Sequence, residues 1–240
     1  MKLLAIDATE AACSAALLHD EAIQERCVTE ARQHNVHLLP MLHTLLADAG
    51  FTLSQLDGIA FARGPGSFTG VRIATAVTQG IALAGDLPVV PVSSLRALAQ
   101  GAARQYGASQ VLAGFDARMQ EVYWGMYQLD TQGYMQLQQT ECLCYPDSVP
   151  IPSPPTGSDP DVIIKGWYGA GSAWASYADT LQARLGSQIA DTYAAAIVQA
   201  YDVAYLAAAE LAANRYVTAD QAVPVYLRNH VARKASVPPR

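Results

Sequence analysis

Arg63-Gly64-Pro65-Gly66-Ser67-Phe68-Thr69-Gly70-Val71-Arg72 decides how this chain is read. The apolar run Gly58-Ile59-Ala60-Phe61-Ala62 leads into it, and the helix-like run Val71 to Val77 leads out. Gly64, Gly66 and Gly70 permit a tight turn and a close backbone approach. Ser67 and Thr69 can cap the following helix. The stretch therefore reads as a strand, a glycine-rich turn and a helix start. That geometry aims free N–H groups above the turn, where they could hold an anion or simply let the chain reverse. Val71-Arg72, not Lys-Ser/Thr, follows Gly70, and the glycine spacing is not that of a dinucleotide fingerprint. The motif by itself favours a structural turn.

The spacing predicts helices on either side. Gln33 to Ala49 places Leu38, Leu42, Leu45 and Ala49 on one stripe, widened by Leu39, Met41 and Leu46. Pro40 implies a kink or a start near it, and Gly50 is a natural stop. From about Gly70 to Ala84, Val71, Ala74, Val77, Ile81 and Ala84 form one apolar stripe and Ile73, Ala76, Gly80 and Leu83 another. A helix apolar nearly all round expects cover nearly all round. One face can lie on a sheet; the other needs a neighbouring helix or a partner chain. Ala76, Gly80 and Ala84 are small at four-residue spacing, so such a neighbour can come close.

Further out, Leu3–Ile6 and Cys13–Leu18 read as a hairpin around the polar turn Asp7-Ala8-Thr9-Glu10. Ala22–Thr29 reads as a third strand, with a helix as the alternative. Pro88–Val92 is a strand, and Ser93-Ser94 cap a helix over Leu95–Tyr106. A second strand set follows at Val111–Phe115, Val122–Tyr127 and Tyr134–Gln138. Pro146 to Pro160 is a Pro- and Ser-rich loop, Val162–Ile164 a strand, and Gly166 to Gly171 a second glycine-rich turn before a helix. Ala194–Tyr216 reads as helix, in two pieces near Tyr201-Asp202, and Val223–Arg228 ends the ordered part. Strands and helices thus recur in two rounds, as two α/β lobes. The expected boundaries are 1–101 and 102–216, with 217–240 packing back on the first lobe.

Composition narrows the function. Of 240 residues, 51% are hydrophobic and 15% charged, ample for a core. No apolar run reaches the roughly 18 residues that span a bilayer. Asp7 and Glu10 interrupt the N-terminal apolar run, so a signal peptide is not expected and a cytoplasmic location is. A net charge of −6 and a pI near 5.3 argue against tight nucleic-acid binding by this chain alone. Arg228, Arg233, Lys234 and Arg240 form a locally basic end, read as a solvated tail or as a contact for nucleic acid or an acidic partner. Cys13, Cys27, Cys142 and Cys144 show no zinc or redox spacing and are expected reduced.

Candidate chemistry is sparse. Asp7 with Thr9 could hold a magnesium–phosphate group through water, or Asp7 could bond its own backbone. His34 and His37 are spaced His-x-x-His with no obvious third ligand, so surface or partner-facing histidines are expected and no metal. Arg118 and Glu121 suggest a surface ion pair. No Ser–His–Asp or Cys–His set can be assembled.

Four segments together resemble the bacterial TsaB (YeaZ) family: Leu4 to Thr9; Arg32-Gln33-His34 with Leu38-Leu39-Pro40; Gly64 to Arg72; and Pro224 to Arg228. The resemblance implies an α/β, two-lobed actin-like, sugar-kinase-like (ASKHA) fold with mixed sheets flanked by helices. It implies a non-catalytic subunit, without cofactor, of the machinery making N6-threonylcarbamoyladenosine at position 37 of ANN-decoding tRNAs. Its implied partners are the catalytic paralogue TsaD, which uses threonylcarbamoyl-AMP, and the ATPase TsaE; tRNA is met through the complex, and no membrane is involved. Pairing with TsaD, and homodimerisation when alone, would use the two helices of the first lobe. The residues expected there are His34, His37, Leu38, Met41, Leu42, Leu45, Arg72, Ile73, Ala76, Val77, Gly80 and Leu83. Asp7, Thr9, Gly166, Gly169 and Gly171 would be relics of a nucleotide site, with bulky Trp167 and Tyr168 between the last glycines. His34-x-x-His37 does not reproduce the paralogue's His-x-x-x-His metal pair. The alternative is an ASKHA phosphotransferase or metallopeptidase acting alone.

Overall fold

The computed structural model describes residues 1–10, 12–29, 34–152 and 166–228, with backbone alone for 34 and 35. The Arg32-Gln33 pair, the Val162–Ile164 strand, most of the Pro-rich loop and the basic residues Arg233, Lys234 and Arg240 lie outside these residues.

Two five-stranded sheets repeat one topology. Sheet 1 has the order β3-β2-β1-β4-β5, built from β1 (Lys2–Asp7), β2 (Cys13–His19), β3 (Ala22–Val28), β4 (Gly58–Ala62) and β5 (Val89–Val92). Sheet 2 has the order β10-β9-β6-β7-β8, from β6 (Gln110–Asp116), β7 (Val122–Leu129), β8 (Met135–Cys144), β9 (Trp167–Ala170) and β10 (Ile189–Tyr193). In each, three antiparallel strands run as a meander and two more add in parallel beside the first. The two rounds read in the sequence are thus two copies of one plan. β3 is a strand: it alternates exposed and half-buried positions, as an edge strand should, with Gln24 and Arg26 facing out and Ile23 and Glu25 turned inward, where Glu25 accepts from Tyr201 N at 2.9 Å.

The central strands are buried on both faces, and each face has its own cover. Leu4, Ile6, Ile59 and Phe61 meet α1 (His34–Ala49) and α2 (Phe68–Gly85). Leu3, Ala5, Ala60 and Ala62 face the interior between the sheets, where α3 (Ser94–Tyr106) and α6 (Ala200–Ala212) lie. Each fully buried Leu, Ile or Phe contributes roughly 1.5–3 kcal/mol. α3 packs chiefly on sheet 2 and α6 on sheet 1. They are joined by Arg104, whose Nε and Nη2 donate to the two carboxylate oxygens of Asp202 at 2.9 and 2.8 Å. The far face of sheet 2 is closed by α4 (Ser172–Ser176) and α5 (Ala178–Leu185), with Trp124, Trp174, Leu181 and Leu185 in its core.

Three expectations are corrected here. The Ala194–Tyr216 helix is not broken at Tyr201-Asp202: it begins at Ala200, and Asp202 lies in its first turn, where a carboxylate suits the helix dipole. The core stripe of α2 runs through Val71, Ala74, Thr75, Thr78 and Ala82, leaving Ala84 exposed and Val77 and Ile81 half-buried. Thr75 is tolerated there because its hydroxyl donates back to Val71 O at 2.7 Å, turning its methyl to the core. Arg118 and Glu121 do not pair with each other: Arg118 reaches Asp116, and Glu121 takes Arg228 at 2.5 Å.

Beyond α6 the chain returns along the first lobe. Val217 bridges Val89 antiparallel, Gln79 Nε2 donates to Ala222 O, and Val225 N donates to Arg63 O. Arg228 then crosses to the β6–β7 turn, donating to Ala117 O at 3.0 Å.

Candidate functional site

The glycine-rich turn is consumed by its own fold. Ser67 N donates to Thr9 O at 2.7 Å, and Gly70 N donates to the Ser67 hydroxyl, so two N–H groups that could have met an anion are already paired. A Cβ on Gly66 would drive into the Thr9 carbonyl, and one on Gly70 into the Ala8 carbonyl. These glycines exist so that the turn can press on the β1–β2 turn. Gly64, with φ +101°, is fixed to the start of α3 through Ser94, its N–H donating to the hydroxyl at 3.1 Å.

Asp7 is fully buried beneath that contact. Its Oδ1 accepts from Thr9 N at 3.1 Å and Thr9 Oγ1 at 2.6 Å, while Oδ2 has no partner. Burial raises its pKa to about 7 against these stabilising bonds. Glu10, also raised to about 7 chiefly by burial, accepts from the Ser172 hydroxyl at 3.1 Å. The Ser172 hydroxyl in turn accepts from Asp116 N at 3.1 Å. The seam between the lobes is thus closed by a direct Glu10–Ser172 bond. The sequence reading did not find Glu10, Asp116 or Ser172; their only signal was position, Glu10 in the first polar turn and Ser172 just after the second glycine turn.

The second glycine-rich stretch, expected as a turn, is instead strand β9 bounded by Gly166 and Gly171, because Tyr168, Gly169 and Ala170 pair with Val111, Leu112 and Ala113 of β6, and the space beside it is filled. Gly171, at φ +100°, has no room for a side chain beside Gly114 O (2.5 Å) and Leu98. The Trp174 ring lies flush on Gly169, so close that a Cβ there would enter the ring, and its Nε1–H donates to Leu112 O at 3.0 Å. Gly166, at φ +84°, turns the chain into β9. The structure therefore brings Asp7 and Thr9 onto the first glycine turn and, through Glu10 and Ser172, beside Gly171. It places Trp174, which the sequence reading missed, over Gly169. Among the described residues no three His, Cys, Asp or Glu are grouped to hold a metal ion. His37 is half-buried on α1, and the His34 side chain lies outside the described residues.

The outer side of α1 and α2 is different: it is apolar and open. Val36 and Leu39 of α1 are more than half exposed, and Leu83 of α2 is 79% exposed. Ala76 and Gly80 are exposed with them, Ile73 and Val77 are half-buried at the edge, and a Cβ on Gly80 would meet no atom within 4 Å. Leu38, Met41, Leu42 and Leu45, expected on this surface, are instead core residues packed under sheet 1. The physical reason is helix phase: Leu38, Leu42 and Leu45 recur every three to four residues and share the sheet-facing stripe. Val36, Leu39, Pro40 and His43 take the outward positions. At the start of α2, Arg72 lies with its guanidinium carbon 3.5 Å from the centre of the exposed Phe68 ring, and its Nε donates to Tyr226 OH at 2.9 Å.

Duplicated mixed sheets with helices between and outside them define a two-lobed, ASKHA-type α/β protein. Residues 28–236 match the family described as TsaD, tRNA N6-adenosine threonylcarbamoyltransferase. The chain is 38% identical over 234 residues to the tRNA threonylcarbamoyladenosine biosynthesis protein TsaB of Escherichia coli K12, covering 98% of this chain and 97% of that one. It is 34% identical to the TsaB of Haemophilus influenzae, covering 98% and 96%. Its fold matches the solved YeaZ of Pseudomonas aeruginosa with a TM-score of 0.85 at 43% identity, covering 94% and 99%. The chain belongs to the TsaD family so described and, within it, to the TsaB (YeaZ) proteins.

Proposed function

We propose that this chain is a non-catalytic partner subunit in tRNA threonylcarbamoyladenosine synthesis. It docks the catalytic paralogue TsaD through the outer face of α1 and α2 and supports threonylcarbamoyl transfer to adenosine 37 of ANN-decoding tRNAs, with the ATPase TsaE joining the assembly. Alone, it pairs with a second copy through the same face; tRNA is met only through the complex. The work is cytoplasmic, and among the described residues no helix is long and apolar enough to cross a membrane.

The observation that carries this reading is the apolar, unfilled surface around Val36, Leu39, Ala76, Gly80 and Leu83. Solvent-facing apolar residues clustered on two adjacent helices are what an interface exposes when its partner is absent. The filled glycine-rich segments support the absence of chemistry of its own: donors of the first are paired, and Trp174 occupies the space over Gly169 of β9. The enzyme alternative has one support, the buried and unpaired Asp7 Oδ2. The test is reconstitution of tRNA modification with TsaD, TsaE, the threonylcarbamoyl donor and tRNA, with wild-type chain, Leu83→Glu, or no chain. The partner reading expects modification with wild type and little with the other two. Full modification without this chain, or micromolar binding of ATP–magnesium by the chain alone, would decide against it.

A further inference from the structure

A cleft of about 630 Å³ opens between the lobes, where the edge strand β5 of sheet 1 approaches the edge strand β8 of sheet 2. Three arginines and two glutamates line it: Arg63, Arg96 and Arg215, with Glu141 and Glu210. Their pairing is uneven. Glu210 takes both Arg96, at 3.0 Å, and Arg215, at 2.5 Å, one on each oxygen. Glu141 Oε1 accepts from the hydroxyls of Ser93 and Tyr127, which fix its position from the two lobes, while its Oε2 has no hydrogen bond among the described residues. Arg63 is left over. It makes no ion pair or side-chain hydrogen bond among the described residues, and its Nε is buried without a partner. The remaining wall is mixed, with Val92, Leu137, Tyr216 and Leu227 beside the polar Gln136 and Thr140.

We propose that this cleft binds a small carboxylate, clamped by the Arg63 guanidinium, with a hydrogen-bond donor of the ligand resting on Glu141. A guanidinium offers a planar fork that matches a carboxylate's two oxygens. One unbalanced cation beside two carboxylates suits a monoanion better than a phosphate dianion. Glu141, held still by two hydroxyls, presents its second oxygen to an ammonium or amide on the same molecule. Because Arg63 and Ser93 come from the first lobe's side and Tyr127 and Glu141 from sheet 2, an occupant ties the two lobes together.

This inference stands apart from the partner-subunit reading and is tested on the isolated chain. Binding of sodium butanoate, 4-aminobutanoate and inorganic phosphate is measured by titration while the Arg side-chain Nε–H resonances are followed by NMR. The expected result is that both carboxylates bind and shift the Arg63 resonance, the amino form more tightly, with phosphate weakest. Arg63→Gln should weaken carboxylate binding about tenfold or more, and Glu141→Gln should erase the advantage of the amino form. The backbone bonds of Arg63, from its N to Val92 O and from Val225 N to its O, do not need the side chain, and a melting curve checks this. Should Arg63→Gln not fold, Arg63→Lys replaces it, keeping the charge but losing the fork, with weaker carboxylate binding expected. No binding by wild type, equal binding by the Arg63 variant, or phosphate binding best would each overturn the proposal.

Discussion

Gly80→Leu separates a docking surface from a structural one, because the two readings give effects of opposite sign. In the isolated chain, a Cβ at Gly80 meets nothing within 4 Å, so a leucine extends into solvent without displacing anything. Glycine inside an exposed helix is about 0.8–1 kcal/mol worse than a good helix former, so the variant's fold should gain about that much. At a closely packed helix–helix contact the added side chain overfills the space, which costs about 1–3 kcal/mol. That weakens association with TsaD by about 5- to 150-fold, and self-association with it. Urea unfolding of the dilute chain reads the first effect, and calorimetric titration with TsaD reads the second. TsaD affinity within about twofold of wild type would refute the placement of the interface. A loss of stability in the isolated chain would refute the statement that this face is open.

Helix phase gives a companion test at neighbouring positions: Leu38→Ala should cost about 2–5 kcal/mol of stability, whereas Leu39→Ala, on the open side, should change folding little and weaken TsaD capture. Asp7 and Glu10 make stability pH-dependent in a definite direction. Their folded pKa values are raised from 3.8 and 4.5 to about 7, so the folded state keeps protons that the unfolded chain has lost. Stability should therefore fall as pH rises from about 4 to 7 and level off above. Urea midpoints at pH 5, 6, 7 and 8 should show that slope, and it should flatten in Asp7→Asn; an unchanged slope would show that Asp7 is not the source. Arg104→Met leaves the Asp202 carboxylate, 1% exposed, without its bidentate partner and should cost about 3 kcal/mol by thermal or urea unfolding. Adding Asp202→Asn should return part of that loss, since the uncompensated charge is gone.

Local chemistry wrote much of the fold into the sequence. Gly64, Gly66 and Gly70 between an apolar run and a helix signalled the strand–turn–helix, and the repeat of that grammar signalled two lobes. Ser67 and Ser93 are the caps of α2 and α3, each accepting from an N–H three residues on. What the sequence could not settle is which of two apolar stripes on one helix meets the sheet. Leu38 and Leu39 are the same residue type side by side, and only packing decides that one is buried and the other exposed. Thr75 and Thr78 on the core stripe of α2 misled the reading for the same reason: the Thr75 hydroxyl turns back on its own helix, and the Thr78 hydroxyl is buried without a partner, which no residue pattern announces.

By itself the sequence determined the element order of the first lobe, the chemistry of its glycine-rich turn and the family, because these depend on residues near one another in the chain, whereas the short strands β9 and β10 were not read from it. The tertiary structure alone decided that Glu10 meets Ser172, that Trp174 fills the space over Gly169, and that Arg63 is left unpaired in a cleft between two sheet edges. Those contacts join residues far apart in sequence. Burial, charge pairing and free surface are properties of the packed whole, and no local pattern encodes them.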